Sequence, residues 1–414
     1  MRVRRVLASA LATLAIAAPA YAATPTPVPT ASTLSVPPSA PSPTDSGKSP
    51  DAPDPHPPRG GIGPQGQAVG GAELLSRRTI LPAGAPGLPK DLTAQAWLVA
   101  DLDTGAIVAA RDPHGRYQAA SIQKILTTVT LLPRLPGTRR VTVSPSAADT
   151  EGSHAGLVAG GSYTIDQIFQ GLLLVSGNDA AEALAQAAVG RAQTVALMNR
   201  TAVSLGAYDT YVQTPSGLDG WQQLTSAYDM MLFLRAALAQ PRFVAYDRLR
   251  TMVLPPQHPA QQGRTGAVRL YNQNLDFFDQ IPGAIAAKTG YTDAAQHTFA
   301  GAMTSHGHRY GVILLRAQRY PQDQYVQAAG LVRWAAALPA GTDPVGTLER
   351  PIAPRRVAAA APSRQSATPA PSPTPGSSRD SGGGVKALVA VVVFGGLFAL
   401  TRRIRNQGRR RRPR

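Results

Sequence analysis

Cysteine is absent from the 414 residues, which excludes a disulfide framework, a thiolate zinc site and a thiol nucleophile together. Stability has to come from an ordinary apolar core. Lysine is scarce as well, with five Lys against 36 Arg. Where either cation would serve, this sequence uses Arg, so a retained Lys points to chemistry that a permanently charged guanidinium cannot perform. Apolar length is also limited: neither main apolar run, residues 6–18 or 385–401, reaches the roughly 20 residues a bilayer asks of a helix. The first is too short to span; the second is acceptable only if its flanking cations reach the interfaces.

What is abundant sits at the ends. Net charge is +17, but three Arg fall within residues 1–5, Lys386 stands alone, and eight Arg follow Thr401, leaving +5 for the rest. Charge that flanks apolar runs is not the stripe a nucleic-acid-binding domain presents, so no nucleic acid is expected as a partner. Residues 1–22 read as a cleavable export signal: a basic start, a short apolar stretch, and Ala20-Tyr21-Ala22 as a small-x-small cleavage site. Residues 385–401 read as a transmembrane helix with Lys386 and Arg402 snorkelling outward, and 402–414 as a basic cytoplasmic tail. The chain is therefore expected in the cell membrane, single-pass, with its folded part outside the cytoplasm. Two stretches rich in Pro, Ser, Thr and Ala, 23–71 and 351–384, carry too little branched or aromatic side chain to offset ordering and are expected to be disordered. One catalytic domain, 72–350, lies between them.

Inside that domain, residues 95–101 and 106–110 flank Asp103-Thr104-Gly105 and predict an opening hairpin. Apolar residues at three-to-four spacing predict helices over 121–132, 164–175, 179–188, 193–205 and 226–239, the second opened by Thr164-x-x-Gln167. After Leu254 the pattern returns to strands, 284–289, 298–304 and 309–315, the last two joined by a turn and followed by a helix over 322–338. Strands at both ends of a helical middle predict an α+β fold, an antiparallel sheet packed against helices.

Three short elements carry chemistry. Ser121-Ile122-Gln123-Lys124 opens a predicted helix, where positions i and i+3 share a face and the serine sits among unpaired backbone N–H groups. A lysine kept neutral by burial and a neighbouring cation could take the hydroxyl proton. Ser176-Gly177-Asn178 follows 55 residues later in an interhelical loop, able to aim a hydroxyl and an amide into a cleft. Lys288-Thr289-Gly290, 112 residues beyond Ser176, stands at the end of a predicted strand. Its cation, hydroxyl donor and missing side chain suit an extended peptide's carboxylate laid along the strand edge.

In this order, the triplets S-x-x-K, S-x-N and K-T-G resemble the signature of the penicillin-interacting serine enzymes. Ser176-Gly177-Asn178-Asp179-Ala180-Ala181, Ser216-Gly217-Leu218-Asp219, Asn272-Gln273-Asn274 and Lys288-Thr289-Gly290-Tyr291-Thr292 narrow the resemblance to the low-molecular-mass D-alanyl-D-alanine carboxypeptidases, over residues 94–338. The resemblance implies the serine β-lactamase-like transpeptidase fold with an all-helical subdomain, and removal of terminal D-alanine from peptidoglycan pentapeptides. It further implies that β-lactam antibiotics bind and that no metal or other cofactor is used. Catalytic roles fall on Ser121 as nucleophile, Lys124 as base and Ser176 as proton shuttle. Substrate binding falls on Asn178, Lys288, Thr289, Gly290 and Tyr291, with an oxyanion hole from the backbone N–H groups of Ser121 and Tyr291. Two departures bear on substrate preference: Gly220-Trp221-Gln222-Gln223 lacks the His of relatives, and Ile122 stands where a small or hydroxyl residue is usual.

Other readings fare less well. A class A β-lactamase needs a glutamate to activate the deacylating water between the second and third motifs, and Glu182, just after Asn178, is the last Glu before Glu349. A zinc peptidase could start from His154 beside Glu151 and Asp149, but no second His lies at ligand spacing. A Ser-His-Asp hydrolase lacks its G-x-S-x-G. A non-enzymatic wall-binding module would not need the full set of catalytic side chains.

Overall fold

The computed structural model describes residues 60–257 and 266–349. The export signal, the segments 23–59 and 351–384, the transmembrane segment and the basic tail lie outside these residues. Among the described residues no helix is long and apolar enough to cross a membrane.

The domain opens with β1 (Thr79–Ile80) and the hairpin β2 (Ala96–Asp101) and β3 (Ala106–Arg111). A single 3-10 turn, Ala120–Gln123, then runs into α1 (Lys124–Leu131). The small ladder β4 (Arg140–Thr142) with β5 (Ser162–Thr164) encloses the short α2 (Pro145–Ala148). The helical group follows: α3 (Ile165–Leu174), α4 (Asn178–Ala188), α5 (Arg191–Ser204), α6 (Ala227–Leu238) and α7 (Pro241–Asp247). A second ladder, β6 (Thr251–Leu254) with β7 (Val268–Tyr271), and α8 (Leu275–Gln280) lead into β8 (Ala284–Thr292), β9 (Gln296–Ser305) and β10 (His308–Ala317). Helix α9 (Gln324–Ala336) and β11 (Gly346–Thr347) close the domain.

Local signals account for several of these boundaries. Thr164 accepts from Gln167 N at 3.2 Å while Gln167 Oε1 accepts from Thr164 N at 2.9 Å, the reciprocal pair its spacing predicts. Ser226 caps α6 by accepting from Asp229 N at 3.1 Å.

The main sheet is antiparallel and runs β1-β3-β2-β10-β9-β8, with β11 also on β3. Both faces are covered. Alternate residues Leu98, Ala100, Ile313 and Leu315 pack toward α1, α3 and α6, whereas Trp97, Val99, Val312 and Leu314 pack toward α8 and α9. The α+β expectation holds, with helices on two faces of the sheet. Among the described residues this leaves β8 as an edge strand whose outer row of backbone groups no other strand takes.

The segment expected to be disordered as far as residue 71 is folded from residue 60 onward. Val69 is buried in the core beside Leu74 of the expected domain, and full burial of an aliphatic side chain stabilises by about 1.5–3 kcal/mol. Backbone groups complete the docking: Gly61 N donates to Asp209 Oδ1 at 2.7 Å, and Val69 O lies 3.1 Å from Nε2 of His114, whose Nδ1 is 2.7 Å from Asp209 Oδ2. The composition, poor in branched side chains, conceals a segment held largely through its main chain. At the other end Leu348 is also in the core, so a fragment limited to residues 94–338 would lose part of the packing.

Candidate active site

Ser121 sits in the 3-10 turn, not in the first turn of an α-helix as its spacing predicts. Ala120 before it has φ +49°, a left-handed conformation that an alanine holds only when its surroundings impose it. Those surroundings are two glycines and a threonine. Thr298 Oγ1 on β9 donates to Ala119 O at 2.9 Å. Gly217, at φ +89°, lies so close that any Cβ would collide with Ala120 O. On β8, a Cβ at Gly290 would stand 2.5 Å from Thr298 Oγ1 and 2.7 Å from Ser121 N. Gly290 also has a reason within the fold: it lets the turn bearing Ser121 abut the strand.

Lys124, the first residue of α1, is fully buried. Its Nζ is 2.9 Å from Ser121 Oγ, 2.7 Å from Asn178 Oδ1 and 2.6 Å from Ser216 O. Burial holds its pKa well below the ordinary lysine value, and the Lys288 cation adds to that, opposed by Asp179. A neutral amine carries two N–H donors and one lone pair. Asn178 Oδ1 and Ser216 O can only accept, so they take the two hydrogens and leave the lone pair facing the Ser121 hydroxyl. The orientation of the Asn178 amide is fixed independently, because its Nδ2 donates to Glu151 O at 2.7 Å.

Ser176 and Asn178 flank the break between α3 and α4, and Asn178 is the first residue of α4. Ser176 is buried at φ +59°, and its Oγ has no hydrogen-bond partner among the described residues. A strained backbone with an unpaired buried hydroxyl gains nothing for folding. The neighbouring Asp179 explains how the loop keeps its shape. Its carboxylate accepts from Ala155 N at 2.8 Å, Gly156 N at 2.9 Å and Leu157 N at 2.9 Å, pinning the segment that bears Glu151.

The third motif lies within β8, which continues two residues past Gly290 and does not end there as the sequence predicts. Lys288 is buried and its Nζ donates to Thr289 O at 2.8 Å; burial lowers its pKa to about 8, opposed by Asp247. Thr289 Oγ1 donates to Asn274 Oδ1 at 3.2 Å. Ala287 N donates outward to Asp247 Oδ2 at 2.8 Å, away from β9. Alternation along a strand therefore turns the N–H groups of Thr289 and Tyr291 the same way, toward the open edge. The Tyr291 side chain is half-exposed, its ring 4.7 Å from that of His297 and its hydroxyl 3.0 Å from Asp293 Oδ1.

The structure thus joins Ser121, Lys124 and Asn178 by hydrogen bonds, sets Lys288 near Lys124 and places Gly290 against Ser121. Sequence reasoning assigned no role to the Ser216 carbonyl, the Asp179 carboxylate or Asp247. A backbone carbonyl has no residue-type signal, and the two aspartates act on backbone amides that every residue carries. Glu182 is committed elsewhere, with Arg191 Nε 3.1 and 3.0 Å from its two oxygens.

Residues 83–319 match the family described as D-alanyl-D-alanine carboxypeptidase. The D-alanyl-D-alanine carboxypeptidase DacB2 of Mycobacterium tuberculosis is 38% identical over 267 residues, 63% of this chain and 87% of the relative. DacD of Salmonella typhimurium, also a D-alanyl-D-alanine carboxypeptidase, is 28% identical over 262 residues, 59% of this chain and 63% of its own length. The crystal structure of a D-alanyl-D-alanine carboxypeptidase from Mycobacterium tuberculosis superposes with TM-score 0.61 at 37% identity, covering 65% of this chain and 99% of that one. The Streptomyces K15 DD-transpeptidase shares the fold, with TM-score 0.57 at 22% identity over 61% of this chain and 100% of that one. With the motif residues assembled and more than half of the chain matched, the protein belongs to the D-alanyl-D-alanine carboxypeptidase family.

Proposed function

We propose that the protein is a serine-type D-Ala-D-Ala carboxypeptidase that removes the terminal D-alanine of peptidoglycan stem peptides through an acyl-enzyme on Ser121. The reading is carried by the hydrogen-bond count at Lys124, whose two acceptor-only partners leave its lone pair for the serine. Ser121 Oγ attacks the carbonyl carbon of the penultimate D-alanine as its proton passes to Lys124 Nζ. The oxyanion that forms is held by the backbone N–H groups of Ser121 and Tyr291. The unpaired Ser176 hydroxyl gives its proton to the departing nitrogen as the C–N bond breaks, and regains one from Lys124. Water then attacks the ester carbonyl, Lys124 taking its proton and passing it to Ser121 Oγ as the acyl–oxygen bond breaks. Lys288 and Thr289 hold the terminal carboxylate, and Asn178 orients the peptide while fixing Lys124.

A β-lactam presents a similar strained amide beside a carboxylate and should acylate the same serine. The β-lactamase alternative lacks support in the engagement of Glu182 by Arg191. The test of function is release of D-alanine from a pentapeptide ending in D-Ala-D-Ala by the full chain. Activity that survives Ser121→Ala would refute the assignment.

We further propose that residues 1–22 export the chain, that residues 385–401 anchor it in the cell membrane, and that the catalytic domain faces outward. Supporting this are the charge asymmetry and apolar runs of the termini. Deleting residues 385–414 should release active enzyme into the medium; a truncated protein that still pellets with membranes in high salt would overturn the anchor.

A further inference from the structure

Asp247 is the last residue of α7, where free helix carbonyls make a poor neighbour for negative charge, and it is fully buried. An aspartate is an expensive choice there unless its charge is used. Two hydrogen bonds and one unpaired oxygen define it. Its Oδ2 accepts from Ala287 N at 2.8 Å, its backbone carbonyl accepts from Asn272 Nδ2 at 2.7 Å, and its Oδ1 has no hydrogen-bond partner among the described residues. The contacts lead to the motif on β8 by two routes. Ala287 is the residue before Lys288 and heads the same outward row of amides as Thr289 and Tyr291. Asn272 Oδ1 accepts from Asn274 N at 2.8 Å, and Asn274 Oδ1 accepts from Thr289 Oγ1 at 3.2 Å.

We propose that Asp247 is a positioning residue: its buried carboxylate holds the amide row of β8 through Ala287 and supplies the negative charge that keeps Lys288 an ammonium. Substrate capture then depends on a side chain that takes no part in binding substrate. The proposal rests on the reading of Lys288 as the carboxylate clamp.

The charged groups bearing on the pair are few. Lys288 has the Asp247 carboxylate of α7 and lies near Lys124 of α1; Asp247 has Lys288 and Arg248; Lys124 in turn has Asp179 of α4. Burial raises Asp247 to about 7, opposed by the Ala287 amide, Lys288 and Arg248. Burial lowers Lys288 to about 8, and Asp247 is the carboxylate that opposes this. Between these values both groups are charged and the pair is intact. Below about pH 7 Asp247 takes up a proton, and the native enzyme comes to resemble one with a neutral residue at this position.

That crossing gives the test. Asp247→Asn keeps the shape and a carbonyl that can accept from Ala287 N, but it removes the charge. The full chain and this variant are compared from pH 6 to pH 9, reading KM and kcat for a D-Ala-D-Ala pentapeptide and the second-order rate of penicillin acylation. The ratio of native to variant kcat/KM should be near one at pH 6 and climb about tenfold by pH 8, mostly in KM, because an unsupported Lys288 loses its proton earlier. Asp247→Glu, which retains the charge, should recover most of the loss. A ratio that is flat with pH, whatever its size, overturns the proposal and leaves Asp247 a purely structural residue. If Asp247→Asn does not fold, Asp247→Gln, neutral and carrying a carbonyl acceptor, is compared with Asp247→Glu, of the same length but charged. Native enzyme that releases no D-alanine would instead refute the proposed function, a separate failure visible before any variant is measured.

Discussion

Replacing Asn178 by Asp places a carboxylate where Lys124 Nζ now meets an amide oxygen, 2.7 Å away. Lys124 is fully buried, so little solvent screens the new charge. An opposite charge at this range raises a lysine pKa by about 1–3 units, even with Lys288 pulling the other way. The sign then fixes the outcome. Acylation needs the neutral amine, and each unit by which the shifted pKa exceeds the assay pH removes about 1.4 kcal/mol of access to it, a tenfold loss. Asn178→Asp should therefore acylate with penicillin more slowly than the parent at neutral pH, by up to about 1000-fold. The acid limb of the profile should move up by the same number of units, so that the deficit shrinks as pH rises. Near pH 8 Lys288 loses its own proton in parent and variant alike, so both rates fall there while the deficit between them goes on shrinking. The substitution also turns the Asn178 Nδ2 donor to Glu151 O into an acceptor facing an acceptor. Asn178→Ala separates the effects, since it loses both bonds and adds no charge; its deficit should not vary with pH as that of Asn178→Asp does. The assay is the second-order labelling rate, followed by intact mass from pH 6 to pH 9. A deficit for Asn178→Asp that is constant across that range would refute the reasoning.

The two motif lysines should fail differently as arginines. Lys124→Arg cannot lose its proton below about pH 12 and should lower the acylation rate by at least about 1000-fold, while Lys288→Arg keeps a cation and should retain part of it with a raised KM; equal losses would refute the division of roles. The penicillin adduct on Ser121 should persist for minutes or longer by intact mass, because Glu182 is held by Arg191; rapid repeated turnover of penicillin would favour the β-lactamase alternative. Gly290→Ala puts a Cβ 2.7 Å from Ser121 N and should cost at least about tenfold in acylation with folding retained; parent-like rates would show that the turn bearing Ser121 can give way.

What was legible in the sequence was local or chemical. The Thr164 and Gln167 capping pair follows from residues three apart, and the S-x-x-K, S-x-N and K-T-G triplets announce themselves by residue type. What was not legible is imposed from a distance. The left-handed φ of Ala120 exists because Gly217 and Gly290 crowd in from other parts of the chain, so no window around Ser121 could predict a 3-10 turn there. Residues 60–71 depart from the expected disorder for a related reason. Their composition is poor in apolar side chains, but Val69 is buried, and His114 and Asp209 hold the segment by its backbone. Asp247 stands 41 residues before Lys288 and shares no motif with it; only the placement of α7 against β8 brings the carboxylate to Ala287.

The sheet order has a consequence for how such a domain could be tethered without hindering its site. Strand β8, with its outward amides, forms one edge, while β11 lies on β3 at the other side of the sheet. Four interstrand steps separate β3 from β8, about 19 Å at roughly 4.8 Å each. The last described residues gather on the β3 side: Thr347 N donates to Gly70 O at 2.9 Å, and Gly70 N donates to Glu349 Oε1 at 2.9 Å. The first and last parts of the domain are thereby stapled to each other across the sheet from the catalytic edge. A pull on the chain at Glu349 would be resisted by the β11–β3 pairing, the Gly70 contacts and the bond from Glu349 N to Tyr228 Oη at 3.0 Å. None of these contacts involves Ser121, Lys124 or β8, so the chain beyond Glu349 leaves the domain on the side of the sheet away from the catalytic edge.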